Sequence, residues 1–250
     1  RDYYASRGLG DVYKRQDAKQ ALSIQIHPDD EYALENENEY GKNEMWYVVD
    51  SEPGSYLYCG LSRDASKEEI LERINNNTIT DILNKIEVKA GDVVMVKAGT
   101  IHAIGAGVFI CEIQQNSNCT YRMYDYDRRD KFGNPRELHV KKALDVVDNH
   151  KYIKDNKTEV VIARNEHFTE ERLVQCKYFE VYKYDVNDEA KITVDEASFV
   201  SVLFINGSGT IETDDYEKTM EFKAGDSFFV SAGLRSIIIK GQATMVVTRV

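Results

Sequence analysis

Apolar residues fall in short runs: LSIQI (22–26), MWYVVD (45–50), VFICEIQQ (108–115), SFVSVLFI (198–205) and SIIIKG (236–241). Glycine-bearing and polar turns separate them. Short runs at this spacing predict strands, and many such strands predict a β-barrel or double-sheet jelly roll. In LSIQIHPDDEY (22–32), alternation sends Leu22, Ile24 and Ile26 to one face and Gln25 and His27 to the other. Pro28 then breaks the strand and suits the first turn of a short helix. Asp29, Asp30 and Glu31 follow near the positive end of its dipole, and Gly41 is the expected stop. A helical insert is predicted further on. Ser66 and Glu69 form a capping box, and Ile70, Leu71, Ile74, Ile82, Leu83 and Ile86 keep a helix-like spacing interrupted by NNNT.

The chain repeats itself. VKAGDVVMVKAGT (88–100) and FKAGDSFFVSAGL (222–234) share KAGD, a valine five residues after the first glycine, and a second AG. Each copy reads as a Gly-Asp turn, a short strand and another turn, one copy per β-rich half. The first copy continues to His102, whereas the second has Ser236 in that place. One half is therefore equipped for chemistry, and the other serves packing and shape.

A chain of 250 residues is long enough for two cores of this size, and 42% hydrophobic with 30% charged residues is ordinary for a globular protein. A net charge of −11 argues against nucleic-acid or anionic-membrane partners, and no apolar run is long enough to span a bilayer. Cys59, Cys111, Cys119 and Cys176 show no CxxC spacing, which points to reduced thiols in a cytoplasmic protein and excludes a four-cysteine zinc site. RDYYASRGLGDVYKRQ (1–16) has no helical or strand period and reads as a non-native leader. The expected organisation is that leader, a metal-binding domain with the helical insert over 17–155, and a degenerate domain without metal ligands over 156–250.

Gln25, His27, Glu44 and His102 then supply four nitrogen or oxygen donors on strands or strand ends. Two imidazoles, a carboxylate and an amide oxygen suit Zn2+, with Fe2+, Mn2+ and Co2+ as alternatives. Gly91, Gly99 and His102 resemble the second motif of the cupin superfamily, with Lys97 where a proline is usual. A longer resemblance narrows this. LSIQIHPDDEYA, GKNEMWYVVD, GTIHAIGAGVFICEIQQNSNCTYRMYDYDR and GNPRELHVKKALDV are similar to the type I mannose-6-phosphate isomerases of the short bacterial form. The likeness runs from Asp17 to the C-terminus.

That resemblance implies a mainly β protein of two cupin-like halves. It implies one Zn2+ per chain on Gln25, His27, Glu44 and His102, and an essential arginine at Arg122. The activity implied is interconversion of mannose 6-phosphate and fructose 6-phosphate through a cis-enediol. The sequence departs from the family in having Asn118 where an aspartate is common, and in lacking the early strands that precede the QxH segment. An N-terminally shortened barrel with an open edge is the consequence expected.

The chemistry needs a base, for which Glu112 and Lys42 compete, and an anion holder. Arg122 offers a planar fork for phosphate or a developing oxyanion, and Arg128 is a weaker candidate for the phosphate. Asp125 or Asp127 would pair with Arg122 if its role were structural. His139, His150 and His167 are set aside as structural or surface groups, and Trp46 as barrel wall. Two other functions fit the same donors: an Fe-dependent cupin oxygenase, and an inactive sugar-phosphate-binding remnant.

Overall fold

The computed structural model describes residues 12–154, 160–213 and 216–250. The chain divides into two compact units, 1–154 and 155–250. No helix among the described residues is long and apolar enough to cross a membrane.

Among its described residues the first unit has nine strands: β1 (Val12–Ala18), β2 (Ile24–Ile26), β3 (Glu44–Ser51), β4 (Tyr56–Leu61), β5 (Leu83–Glu87), β6 (Val93–Val96), β7 (His102–Ile104), β8 (Val108–Gln114) and β9 (Tyr121–Tyr124). Its helices are α1 (Asp30–Glu37), α2 (Lys67–Asn75) and α3 (Val140–Val146). The strands form a four-stranded sheet in the order β1-β8-β3-β6 and a five-stranded sheet in the order β5-β4-β7-β2-β9.

Two apolar cores follow from strand alternation. Trp46, Val48, Val94, Val96, Val108 and Ile110 of the first sheet pack with Leu57, Cys59 and Ile104 of the second. Ile24, Ile26, Ala103, Tyr121 and Met123 form a separate core with Ile70 and Ile74 of α2 and Ala143 of α3. Ile24 and Ile26 are fully buried there, which stabilises each by about 1.5–3 kcal/mol. Their burial on that side turns the intervening Gln25 toward the opposite face.

The helices depart from expectation in instructive ways. The cap of α1 is Asp29, whose side chain accepts from Tyr32 N at 2.9 Å, so Pro28 stands just outside the helix. Asn38, at φ 54°, ends it in the left-handed conformation, before Gly41 is reached. Gly41 is needed for a different reason: a Cβ there would lie 2.3 Å from the Asp29 carbonyl carbon. That close approach lets Lys42 N donate to Pro28 O at 3.0 Å, bringing Lys42 beside the end of β2. Ser66 caps α2 as expected, but Leu83 and Ile86 belong to β5, paired with Leu61 and Leu57 of β4. Sheet pairing there overrides the helix-like spacing.

Of the segment set apart as a leader, residues 1–11 lie outside the described residues. Residues 12–16 lie in β1, in antiparallel register with β8 from Val12↔Gln114 to Gln16↔Ile110. Main-chain pairing needs no side-chain alternation, which is why periodicity missed this strand.

The second unit contains β10 (Val160–Arg164), β11 (Phe168–Gln175), β12 (Glu180–Val186), β13 (Glu189–Val194), β14 (Val200–Thr213), β15 (Tyr216–Lys223), β16 (Ser227–Val230) and β17 (Arg235–Arg249). They hydrogen-bond as one sheet, β10-β11-β12-β17-β14-β15, with β13 on β17 and β16 on β14. Its inward face packs Ile192, Val202, Ile237, Met245 and Val247 around the stacked rings of Phe204 and Phe222.

The sequence repeat is a structural one. Gly91 and Gly225 have φ of 91° and 92°, and each donates to a strand carbonyl at 2.8 Å, Val48 O and Phe204 O. Asp92 and Asp226 accept from Lys89 N and Lys223 N at 2.8 and 3.0 Å. Ser236 is buried opposite Thr193 of β13. Ser236→Ala is expected to leave bound metal and turnover within about twofold of the parent, as befits a residue outside the chemistry. Metal analysis and steady-state kinetics check this.

Candidate metal centre

Both sheets of the first unit contribute donors. His27 follows β2 and His102 begins β7 on the five-stranded sheet, while Glu44 begins β3 on the four-stranded one. The Gly99 turn ties the two histidine segments together, because Gly99 N donates to His27 O at 2.8 Å. One ligand atom from each of His27, Glu44 and His102 lies within 4.8 Å of the others, and all three residues are buried. His27 Nε2 is 3.3 Å from Glu44 Oε2, and His102 Nε2 is 3.4 Å from Glu44 Oε1.

The protonation pattern suits a cation. His27 Nδ1 lies 2.9 Å from Cys119 O, and His102 Nδ1 lies 2.8 Å from Thr100 O. A carbonyl only accepts, so each Nδ1 carries the proton and each Nε2 presents a lone pair to the centre. Burial, reinforced by the Lys42 charge, pushes the His27 imidazole down to about 3. Burial likewise lowers His102. Burial opposes ionisation of Glu44, but the opposing influences, led by the Lys42 ammonium, hold the carboxyl well below its ordinary range. Two neutral imidazoles thus face one carboxylate. Glu44 Oε2 meets the Lys42 ammonium at 3.0 Å, whereas His27 Nε2, His102 Nε2 and Glu44 Oε1 are buried without a hydrogen-bond partner among the described residues. Such atoms are costly to bury unless something joins them. A divalent cation of the Zn2+ class fits this donor set.

Gln25 stands opposite His102 in the β2–β7 register and opposite Arg122 in the β2–β9 register. Directly opposed residues share a face, so Gln25 lies between them on the face that carries His102. Lys42 is buried, with Nζ 3.0 Å from Glu44 Oε2 and 3.9 Å from Glu112 Oε1. Burial lowers its affinity for a proton, but Glu44 and Glu112 raise it further, so the group stays an ammonium. Glu112 Oε2 accepts from Trp46 Nε1 at 3.3 Å, and the Trp46 ring meets His102 edge-on at 5.5 Å. Trp46 has no exposed surface and serves as wall.

Arg122 is half-buried. Its Nε donates to Ser23 Oγ at 3.3 Å and its Nη1 to Glu137 O at 3.0 Å. Neither expected acid pairs with it. Arg128 and Arg136 bind Asp125, and Arg129 binds Asp127. Arg128 is engaged as a clamp on Asp125 and Ala21 O, which leaves Arg122 as the stronger anion candidate. Burial and the neighbouring Arg136 lower its guanidinium from the ordinary value, a sign of an arginine short of negative partners. His139, set aside as structural, accepts from Arg122 N at 3.3 Å. His150 and His167 pair with Asp148 and Asp188 at the surface. Sequence patterning passed over Ser23, Arg136 and Gln114. Gln114 was within reach, since it lies two residues from Glu112 on an alternating strand.

The mannose-6-phosphate isomerase cupin-domain family matches residues 169–250. A putative mannose-6-phosphate isomerase of Bacillus subtilis is 41% identical over 240 residues, covering 94% of this chain and 72% of the relative. A mannose-6-phosphate isomerase of the same organism is 35% identical over 243 residues, covering 93% and 72%. The crystal structure of mannose 6-phosphate isomerase from Bacillus subtilis matches with a TM-score of 0.89 at 38% identity, over 98% of this chain and 77% of that one.

Proposed function

The chain belongs to the mannose-6-phosphate isomerase family, and from that premise we propose that it interconverts D-mannose 6-phosphate and D-fructose 6-phosphate with Zn2+ bound by His27, Glu44, His102 and Gln25. The observation that carries the metal assignment is the convergence of two proton-free imidazole nitrogens on a buried carboxylate. A divalent ion held there supplies a Lewis acid for the negative charge that develops on the sugar oxygens.

The protein's own residues do the rest. The aldose–ketose change moves a proton between C1 and C2 by way of an enediol, so a group must take a proton from one carbon and return it to the other. Of the two candidates, Lys42 is an ammonium and Glu112 a carboxyl group on an inward-facing strand position. Glu112 therefore takes the carbon-bound proton, and Lys42 stabilises charge and donates to oxygen. Arg122 holds an anionic part of the substrate with a fork that no carboxylate among the described residues occupies. The buried walls, Trp46 and Val48 among them, exclude water and strengthen each of these charges. The test is direct. Protein with its metal content measured is given mannose 6-phosphate, and fructose 6-phosphate is followed by a coupled assay. Metal-dependent product supports the proposal, and binding without turnover refutes it.

A further inference from the structure

Gln114 follows Glu112 by two residues on β8, so both side chains leave the same face of the strand. It is only 1% exposed. Its Nε2 donates to Gln115 O at 3.0 Å and to Ser117 O at 3.1 Å. Both partners are carbonyls and can only accept, so the amide cannot be turned over without losing both bonds. The position of Oε1 is thereby fixed, and Oε1 is buried with no donor among the described residues. Gln114 also stands directly opposite Glu44 in the β3–β8 register, which places the two side chains next to each other on the inner face.

Among the described residues nothing donates to this oxygen. Trp46 Nε1 is engaged by Glu112, Lys42 Nζ lies against Glu44 and Glu112, and the histidine Nε2 atoms present lone pairs. A buried, immobilised acceptor without a donor is costly unless a ligand supplies the missing O–H or N–H. We propose that Gln114 Oε1 is a substrate-binding acceptor, taking a hydrogen bond from a sugar hydroxyl outside the reacting C1–C2 pair. The proposal rests on the isomerase reading and adds a contact to it. A neutral amide oxygen suits this task, because it orients a hydroxyl without drawing away its proton. A carboxylate beside that hydroxyl would compete with the proton transfer at C1 and C2. Water held at the metal is the other O–H source, and the test separates the two.

Mannose 6-phosphate and its 3-deoxy and 4-deoxy analogues are titrated calorimetrically into the parent, Gln114→Met and Gln114→Asn, each reconstituted with one equivalent of metal. Cobalt affinity of the metal-free forms is read by absorbance. Both variants should bind mannose 6-phosphate about tenfold more weakly, the usual loss when a buried hydrogen bond to a ligand is removed. One deoxy analogue should suffer the same loss in the parent and no further loss in the variants. Cobalt affinity should stay within about threefold, as expected if the ligand set is untouched. Equal sensitivity of parent and variants to every analogue overturns the proposal. So does weakened cobalt binding with unchanged sugar affinity, which would assign the oxygen to metal-held water or to the 115–119 turn. Because the readout is binding, a parent that binds the sugar without turnover would sink the isomerase reading and still decide Gln114.

Discussion

Replacing His102 by alanine is expected to remove the bound metal and, with it, the isomerase activity, while the second unit keeps its fold. The effect should be large. His102 contributes one of the two imidazoles among the described residues of the cluster, and its removal leaves Glu44 with the His27 ring and the Lys42 ammonium beside it. Losing even a group that merely orients a ligand costs about 10–100-fold in metal affinity, so loss of a direct ligand should cost about a hundredfold or more. The second unit's core of Val202, Phe204, Ile237 and Met245 contains no part of the site, so its unfolding transition should survive. Metal analysis and thermal unfolding check both halves of this expectation. Undiminished metal in the variant would end the assignment.

The readable parts of this protein were those in which side-chain alternation and chemistry coincide. Ile24 and Ile26 enter one core while Gln25 faces the other way, as a period-two pattern requires. The glycine repeat marked matching turns because Gly91 and Gly225 must both take φ near 90°. His27, Glu44 and His102 were legible as candidates, since two imidazoles and a carboxylate at strand ends are rarely neighbours by accident. The unreadable parts depend on partners distant in sequence. Residues 12–16 form a strand only because the β8 backbone is there to receive them. Leu83 and Ile86 look helical until β4 claims them. Which arginine lacks an acid could not be read from YRMYDYDRRD, because Arg136 reaches back to share Asp125 with Arg128.

Arg122→Lys is the second substitution with a large expected effect. The variant should fold and bind metal like the parent, because Arg122 makes no contact with His27, Glu44 or His102 among the described residues. Its kcat/KM should fall by about a hundredfold or more, since a lysine ammonium cannot reproduce a planar fork that holds two oxygens at once. The alternative, a salt bridge that only stabilises, would need a carboxylate at the guanidinium. Asp125 and Asp127 are taken by other arginines. A partly buried guanidinium with only a hydroxyl and a carbonyl for side-chain partners among the described residues is held ready for an anion, because leaving such a charge unanswered is unfavourable. Reduced thermal stability with full activity per folded molecule would instead favour the structural role.

The buried histidine–carboxylate cluster is expected to hold a metal on which turnover depends, and back-titration of the metal-free protein with Zn2+ measures this. Mannose 6-phosphate turnover and bound zinc are measured in the same samples. Turnover should be negligible after chelation, rise in proportion to bound zinc and level off at about one ion per chain, as one four-donor site requires. Full turnover in the chelated protein, or a rise unrelated to the zinc bound, would contradict the account.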